Sequence, residues 1–473
     1  MPKSERLATV DAAWLNMDAP HNRMVITAVI ELGDVVDPER FSKLIEQRLV
    51  VRYPRFRQRI DTGSLGEHRW VEDEQFDLRA HVHRIGLPRP RGGADGGEGA
   101  REALQELVSQ LMSGPLDPAR PLWQVHLVDI GADRTAMVAR IHHAIADGIS
   151  LARVLLSLAD PLADDPRGQT DVEDDSEPVE GRLAGFLRAS ADAGGRLLDA
   201  GREVIADPQG AVSQTAEGIV AAARLGGGSA SAVRRLLSMT DDPDSSLRGE
   251  LGHLKVVAWS EGISLQRIKD VARALGGTVN DVLLTALADA LGRYLRQRGD
   301  AIEEVRTFVP VNLRPLDRPV PRELGNRFGL VFLALPVGHQ PARERFVSLK
   351  RRMDLLKRSP EPALTHALLS AVGLTPVQVE RLVVEVFGAK ASLITTNVPG
   401  PPRTLCLAGA PMDRVLFWVP QSGGVSLGVS LFSYAGTVVW GVSADRDRVP
   451  DPGRIVAFLG DALADLESAA GRS

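Results

Sequence analysis

A single cysteine among 473 residues leaves no partner for an internal disulfide. That usage carries no sign of an oxidising compartment or of a cysteine-based metal site, so a reducing cytoplasm is expected. Aromatic residues are scarce, at 4%, and form no cluster with basic residues, while the formal charge is only −5. Such a chain offers no field for gripping a nucleic-acid backbone, and nucleic acid drops out as an expected partner. The opening residues MPKSERLATVDAAWLNMD lack the apolar run and small-residue cleavage site of a secretory signal. No later stretch reaches the ~18–20 apolar residues of a membrane span, so any membrane contact is expected to be peripheral. Two catalytic signatures are missing as well. There is no Gly-x-Ser-x-Gly elbow, which speaks against a serine hydrolase, and no His-Glu-x-x-His or cysteine cluster, which speaks against a metal site.

What is present is an ordinary globular composition, 44% hydrophobic and 25% charged, in a chain too long for one core. Single cores stop growing near ~250–300 residues, so two domains are expected. Residues 1–160 alternate strand-like and helix-like pattern. MVITAVIEL (24–32) and TAMVARI (135–141) read as buried strands, whereas 37–52 and 150–159 carry helical spacing. From 161 to 250 the texture shifts to an acidic, proline-bearing stretch, then an alanine- and glycine-rich helical pattern over 183–225, then GGGSAS at 226–231. This reads as a crossover, part helical and part flexible, between the first domain and a second over 251–473. The second opens on the strand KVVAWS. It continues through a helix closed by glycines and a longer helix, TVNDVLLTALADALGRYL, with one continuous apolar stripe behind Thr278. Further strands are expected at 305–311, 330–336, 392–396, 425–432 and 437–442, the last two joined as a hairpin. The order is mixed α/β.

The sharpest local signal is IHHAIADGIS, residues 141–150, which contains His-His-x-x-x-Asp-Gly. A buried strand ending in two histidines and turning through Asp-Gly into a helix puts an imidazole where active-site groups tend to lie, on irregular backbone held by a rigid scaffold. An alcohol is a poor nucleophile near neutral pH, and imidazole is the side chain whose ordinary pKa best suits taking its proton. His143 is the candidate base, with His142 beside it. Asp147 is expected to fix the loop by pairing with an arginine, and Gly148 to permit the turn. Two alternatives stand beside this: histidines simply packed as core residues, and a metal site. Adjacent strand residues point to opposite faces, which disfavours joint chelation by His142 and His143.

These residues resemble the bacterial wax ester synthase/diacylglycerol acyltransferase family over nearly the whole chain. LATVDAAWLNMD, PLDPARPLWQVHLVDIG (115–131), IHHAIADGIS, GTVNDVLLTALADALGRYL, ELGNRFGLVFLALP, TTNVPGPP (395–402) and LGVSLFSYAGTVVWGVSADRDRVPD (427–451) carry the resemblance, in order. It implies two chloramphenicol-acetyltransferase-like domains, each a mixed sheet flanked by helices, with the active site in a tunnel between them. It implies no cofactor and no metal. Acyl-CoA enters as co-substrate and a fatty alcohol or diacylglycerol as acceptor, with His143 as base, Asp147 mainly structural and no acyl-enzyme. Contact with the inner membrane face or with lipid droplets is implied as peripheral. By residue type alone Asn280 and Asp281 suit a helix start; the resemblance raises them to active-site or interdomain residues. Asn397 reads either as part of a rigid turn or as a tunnel-lining residue, and Cys406 as a buried thiol. The chain departs from the family pattern at Arg23-Met24 and in the stretch leading into Lys255, which bears on acyl length and acceptor. An acyltransferase of specialised metabolism acting on another alcohol or an amine, and a lipid-binding relative without catalysis, are the other readings.

Overall fold

The computed structural model of the chain describes residues 4–63, 67–87, 98–131, 133–162, 239–313, 320–357, 362, 365–366, 384–421 and 423–471. Most of the expected crossover, including its helical pattern and GGGSAS run, lies outside these residues.

The first part of the chain forms β1 (Glu5–Arg6), α1 (Thr9–Asn16), β2 (Val25–Leu32), α2 (Pro38–Ile45), β3 (Gln58–Thr62) and β4 (His68–Glu72). It goes on through β5 (Val82–Gly86), α3 (Glu98–Ser113), β6 (Trp123–Ile130), β7 (Arg134–His142), α4 (Gly148–Leu156) and β8 (Asp160–Pro161). The later part begins with β9 (Lys255–Trp259), β10 (Ile263–Ser264), α5 (Leu265–Leu275), α6 (Val279–Gln297), β11 (Glu304–Asn312), β12 (Phe328–Pro336) and α7 (Ala342–Leu356). It closes with β13 (Leu393–Pro399), β14 (Leu405–Leu407), β15 (Ala410–Trp418), β16 (Leu427–Tyr434), β17 (Thr437–Asp445) and α8 (Pro452–Ala470).

Two mixed seven-stranded sheets organise the described residues. The first runs β5-β6-β7-β2-β15-β14-β8, and the second β10-β17-β16-β13-β11-β12 with β9 also on β17. Their central strands are covered on both faces and therefore read as near-continuous apolar runs; every residue of β2 is buried. Strands β14 and β15 come from late in the chain yet pair into the first sheet, β15 antiparallel to β2 with an irregularity between Met412 and Arg414. Residues 410–418 were not among the expected strands, and strand periodicity in any case says nothing of which sheet takes a strand. In β14 the side chains alternate, so Leu405 and Leu407 are buried and Cys406 between them is only half-buried, not the buried thiol its composition suggested. The β16–β17 hairpin closes in two residues, Ala435 and Gly436, both at positive φ (45° and 78°), the geometry whose twist matches the flanking strands.

Helices α6, α7 and α8 cover one face of the second sheet, where Leu333, Leu335, Leu393, Leu427, Val429 and Leu431 meet the α6 stripe. No single helix among the described residues is long and apolar enough to cross a membrane. The bent pair α5 and α6 passes by length and composition, and α6 is largely buried in this core. Helix α3 joins the two halves. Its Ser109 and Ser113 hydroxyls accept hydrogen bonds from the Val257 (3.1 Å) and Lys255 (2.8 Å) backbone N–H groups, satisfying donors that β9 would otherwise leave bare. Nearby, buried Glu31 of β2 accepts from Trp259 Nε1 of β9 (3.1 Å) and from Arg414 Nη1 of β15 (2.9 and 3.0 Å).

Candidate active site

His143 follows β7 directly. Its backbone N–H donates to the Met24 carbonyl (2.7 Å), and its own carbonyl accepts from Asn326 Nδ2 (2.8 Å). The ring is stacked on Trp14 of α1, with centroids 4.1 Å apart and planes 25° apart, and lies 5.7 Å from the Phe328 ring at the start of β12. Only 3% of the residue is exposed, and Nδ1 has no hydrogen-bond partner among the described residues. Packing between aromatic rings, rather than a hydrogen bond to a carboxylate, thus sets the ring's orientation. Burial pushes its pKa well below the ordinary imidazole value; the Asp147 carboxylate pulls upward, His142 pushes further down, and its own carbonyl and Asn326 oppose the burial less strongly. The imidazole is therefore neutral near pH 7, the form that accepts a proton.

The ring opens into an apolar cavity between the two sheets. The first half contributes Trp14, Met17, Ile26, His143, Asp147 and Gly148 to its wall. The second contributes the facing side chains of β11, β12 and β13, among them Phe308, Leu330, Phe332, Ile394 and Thr396, and Asn397 also borders it. The wall is mostly aliphatic and aromatic. A few polar groups set in an apolar pocket suit a substrate with a long hydrocarbon part and one reacting polar end.

His142 points the other way, as alternation along a strand requires, and does not line the cavity. Its Nδ1 accepts from the Ala144 N–H (3.1 Å), which puts the ring proton on Nε2; burial lowers its pKa, with Asp18 opposing. Asp147 caps α4, one carboxylate oxygen accepting from the Ser150 N–H (2.8 Å) and the other from the Arg327 N–H (3.0 Å). The contact is with the main chain of Arg327, not the arginine side chain that the expected pairing called for. Gly148 has no positive φ, so the turn does not require it. Space does: a Cβ there would stand 2.8 Å from Val419 Cγ1. Gly148→Ala should therefore cost about 1–3 kcal/mol in urea unfolding, as overpacking does. Adding Val419→Ala should recover most of the loss, and a double variant no better than the single one would contradict this steric account.

Asn280, Asp281 and Asn397 separate in space by role. Asn397 lies within β13 rather than in a turn, and lines the cavity. Its amide Nδ2 donates to Asn280 Oδ1, which places Asn280 one residue behind the wall. Asp281 is fully buried and does not line the cavity. Its Oδ2 accepts from the Thr278 N–H (2.8 Å) and hydroxyl (2.9 Å), while the Thr278 hydroxyl accepts from the Asp281 N–H (3.3 Å), closing a capping box at the start of α6. Asp281→Ala is expected to lower stability by about 1–2 kcal/mol through the lost cap. Because it stands off the cavity, KM and kcat of the remaining folded enzyme should not move; a fall in kcat with an unchanged urea midpoint would reverse that assignment.

Four residues of the site were not singled out from the sequence: Asp11, Trp14, Asn326 and Phe328. All sit inside segments that carry the family resemblance. Asp11 and Trp14 are three apart on α1 and so share a face. Trp14 stacks on the imidazole, and Asp11 Oδ1 accepts from the Asn326 side chain (2.8 Å) and backbone (3.2 Å), holding the residue that grips the His143 carbonyl. Their signal was segment membership alone, since nothing in periodicity links α1 to residue 326. Among the described residues no group of three or more His, Cys, Asp or Glu is placed to hold a metal ion.

Two helix-flanked mixed sheets thus meet along a junction where a buried imidazole faces an apolar cavity. The sequence matches the wax ester synthase/diacylglycerol acyltransferase catalytic domain over residues 7–283 and the C-terminal domain of the same proteins over 324–467. The chain belongs to that family and is an acyltransferase. It is 30% identical over 477 aligned residues to the Mycobacterium tuberculosis protein called probable diacylglycerol O-acyltransferase tgs1, covering 97% of this chain and 95% of the relative. Among solved structures it is similar to the wax ester synthase/diacylglycerol acyltransferase of Marinobacter aquaeolei VT8, with a TM-score of 0.66, 22% identity and 99% and 100% of the two chains covered. The starter condensation domain of rhizomide synthetase, in complex with C8-CoA, shares the fold at a TM-score of 0.55 and 13% identity, with 99% and 95% covered.

Proposed function

We propose that the enzyme moves a long-chain acyl group from acyl-CoA to a fatty alcohol or diacylglycerol, with His143 as general base and no covalent intermediate. The observation that carries this reading is the neutral imidazole of His143 set in the wall of a cavity lined mostly by aliphatic and aromatic side chains. The acceptor hydroxyl gives its proton to the imidazole as its oxygen forms a bond to the thioester carbonyl carbon. The tetrahedral intermediate then collapses, the carbon–sulfur bond breaks, and the proton returns from the imidazolium to the CoA thiolate. Ester and free CoA leave, and the base is restored. Asp147 holds the turn and favours the transient imidazolium by its charge, and Asn397, its Nδ2 donating to Asn280, borders the cavity.

The reading needs acyl-CoA as co-substrate and neither metal nor other cofactor. Acceptors of this kind reside in membranes or lipid droplets, so the enzyme is expected to work at such a surface by peripheral contact. Mixing the purified protein with palmitoyl-CoA and either hexadecanol or dipalmitoylglycerol should release free CoA and form the matching ester. Release of CoA without ester, or no release with either acceptor, would remove the reading.

A further inference from the structure

The cavity wall on the second sheet is graduated. Phe328, Leu330 and Phe332 alternate on one face of β12 and all line the cavity. The antiparallel register sets Pro310 of β11 opposite Leu330 and Phe308 opposite Phe332, and the parallel register sets Ile394 of β13 beside Phe308. Directly paired residues share a face, so Pro310, Phe308 and Ile394 join the same strip, and all three line the cavity. The strip begins at the chemistry: the Phe328 ring lies 5.7 Å from His143 and 5.9 Å from Trp14. It ends in a separate cluster, where the Phe308 and Phe332 rings stand 4.9 Å apart, Phe387 lies 6.3 Å from Phe332, and Val425 and Ala391 fill the corner.

Four residues of strand separate Phe328 from Phe332, a run of about 13 Å. An extended alkyl chain advances about 1.25 Å per methylene, from a carbon–carbon bond of about 1.5 Å and an angle near 111°, so that run holds about ten methylenes. A chain whose reacting end sits at His143 meets the phenylalanine cluster near its twelfth carbon, with the first one or two carbons taken up beside the ring.

Resting on the acyl-transfer reading above, we propose that Phe308, Phe332 and Phe387 measure the length of one substrate hydrocarbon chain. Carbons beyond about the twelfth pack among these three rings, and discrimination between longer chains is made there. The shared chemistry is a straight alkyl chain, supplied either by the acyl donor or by the alcohol.

Two substrate series decide it. In one, saturated acyl-CoAs from eight to eighteen carbons are paired with a fixed alcohol; in the other, alcohols of the same lengths are paired with fixed palmitoyl-CoA. Phe332→Ala vacates about one ring spacing, 4.9 Å, and should move the preferred length upward by about four carbons. Phe332→Leu should move it less in the same direction, and Phe308→Trp should shorten it. A shift confined to the acyl series assigns the chain to the donor, and one confined to the alcohol series assigns it to the acceptor. If the wild-type optimum persists in all three variants in both series, the inference is overturned, whatever becomes of the catalytic reading. Should the wild type turn over no pair at all, the function reading falls instead. The length dependence of acyl-CoA and alcohol Kd, by calorimetry on wild type and the same variants, then decides the inference, with an unshifted profile in both overturning it.

Discussion

His143→Ala lowers ester formation by about 10²–10⁴-fold, the usual contribution of a positioned general base. Affinity for acyl-CoA should change far less, because the ring is one element of a broad apolar wall. The measurement is CoA release under saturating substrate, with the urea midpoint recorded alongside to show that the variant folds. Retained wild-type turnover would dismiss the imidazole from the chemistry. The pH profile is a second arm. The base works unprotonated, and burial holds its folded pKa below the ordinary value of about 6.5. The rate should thus stay level as pH falls from about 8 through 6.5 and decline only in more acid solution; a midpoint at or above 6.5 would contradict the buried environment. Stability follows the same sign. Between the lowered folded pKa and about 6.5 the unfolded chain binds more protons at His142 and His143 than the native one, so stability rises with pH across that window and is lost as pH falls through it.

Glu31→Ala should cost about 3–5 kcal/mol, the range for removing one partner of a buried ion pair. Glu31 is 5% exposed, and its loss leaves Arg414 without its inner partner and the Trp259 indole N–H without its acceptor. Because Glu31 belongs to the first sheet and Trp259 to the second, the loss falls on the junction between them. Urea unfolding should show a large drop in midpoint. Glu31→Leu with Arg414→Leu should regain most of it, since well-packed apolar residues replace a buried pair at little cost. A single variant as stable as wild type would mean that the apolar contacts around Trp259 and Trp418, not this carboxylate, hold the halves together.

How far the sequence reaches is clear from particular residues. Apolar runs and turn chemistry were sufficient for β2, β7, β9, β11, β12, β16 and β17, for the capped helix α6, and for the histidine at a strand end. The same local rules left open whether Asp281 is an active-site, interdomain or capping residue; the structure places it in a capping box, its carboxylate satisfying its own helix start. Thr278 three residues earlier was the available sign.

The amino-acid order by itself determined the most apolar strands and the capped helix α6, though not β6, β15, α3 or α8, and also that an imidazole stands where a buried strand breaks and to which family the motifs belong. Only the tertiary structure decided that β15 joins the first sheet, that Trp14 and Asn326 hold His143, and that three phenylalanines close the far end of the strip. Each of these depends on contact between residues remote in sequence. Helical and strand periodicity record which side of an element is apolar, but not which distant element will cover it.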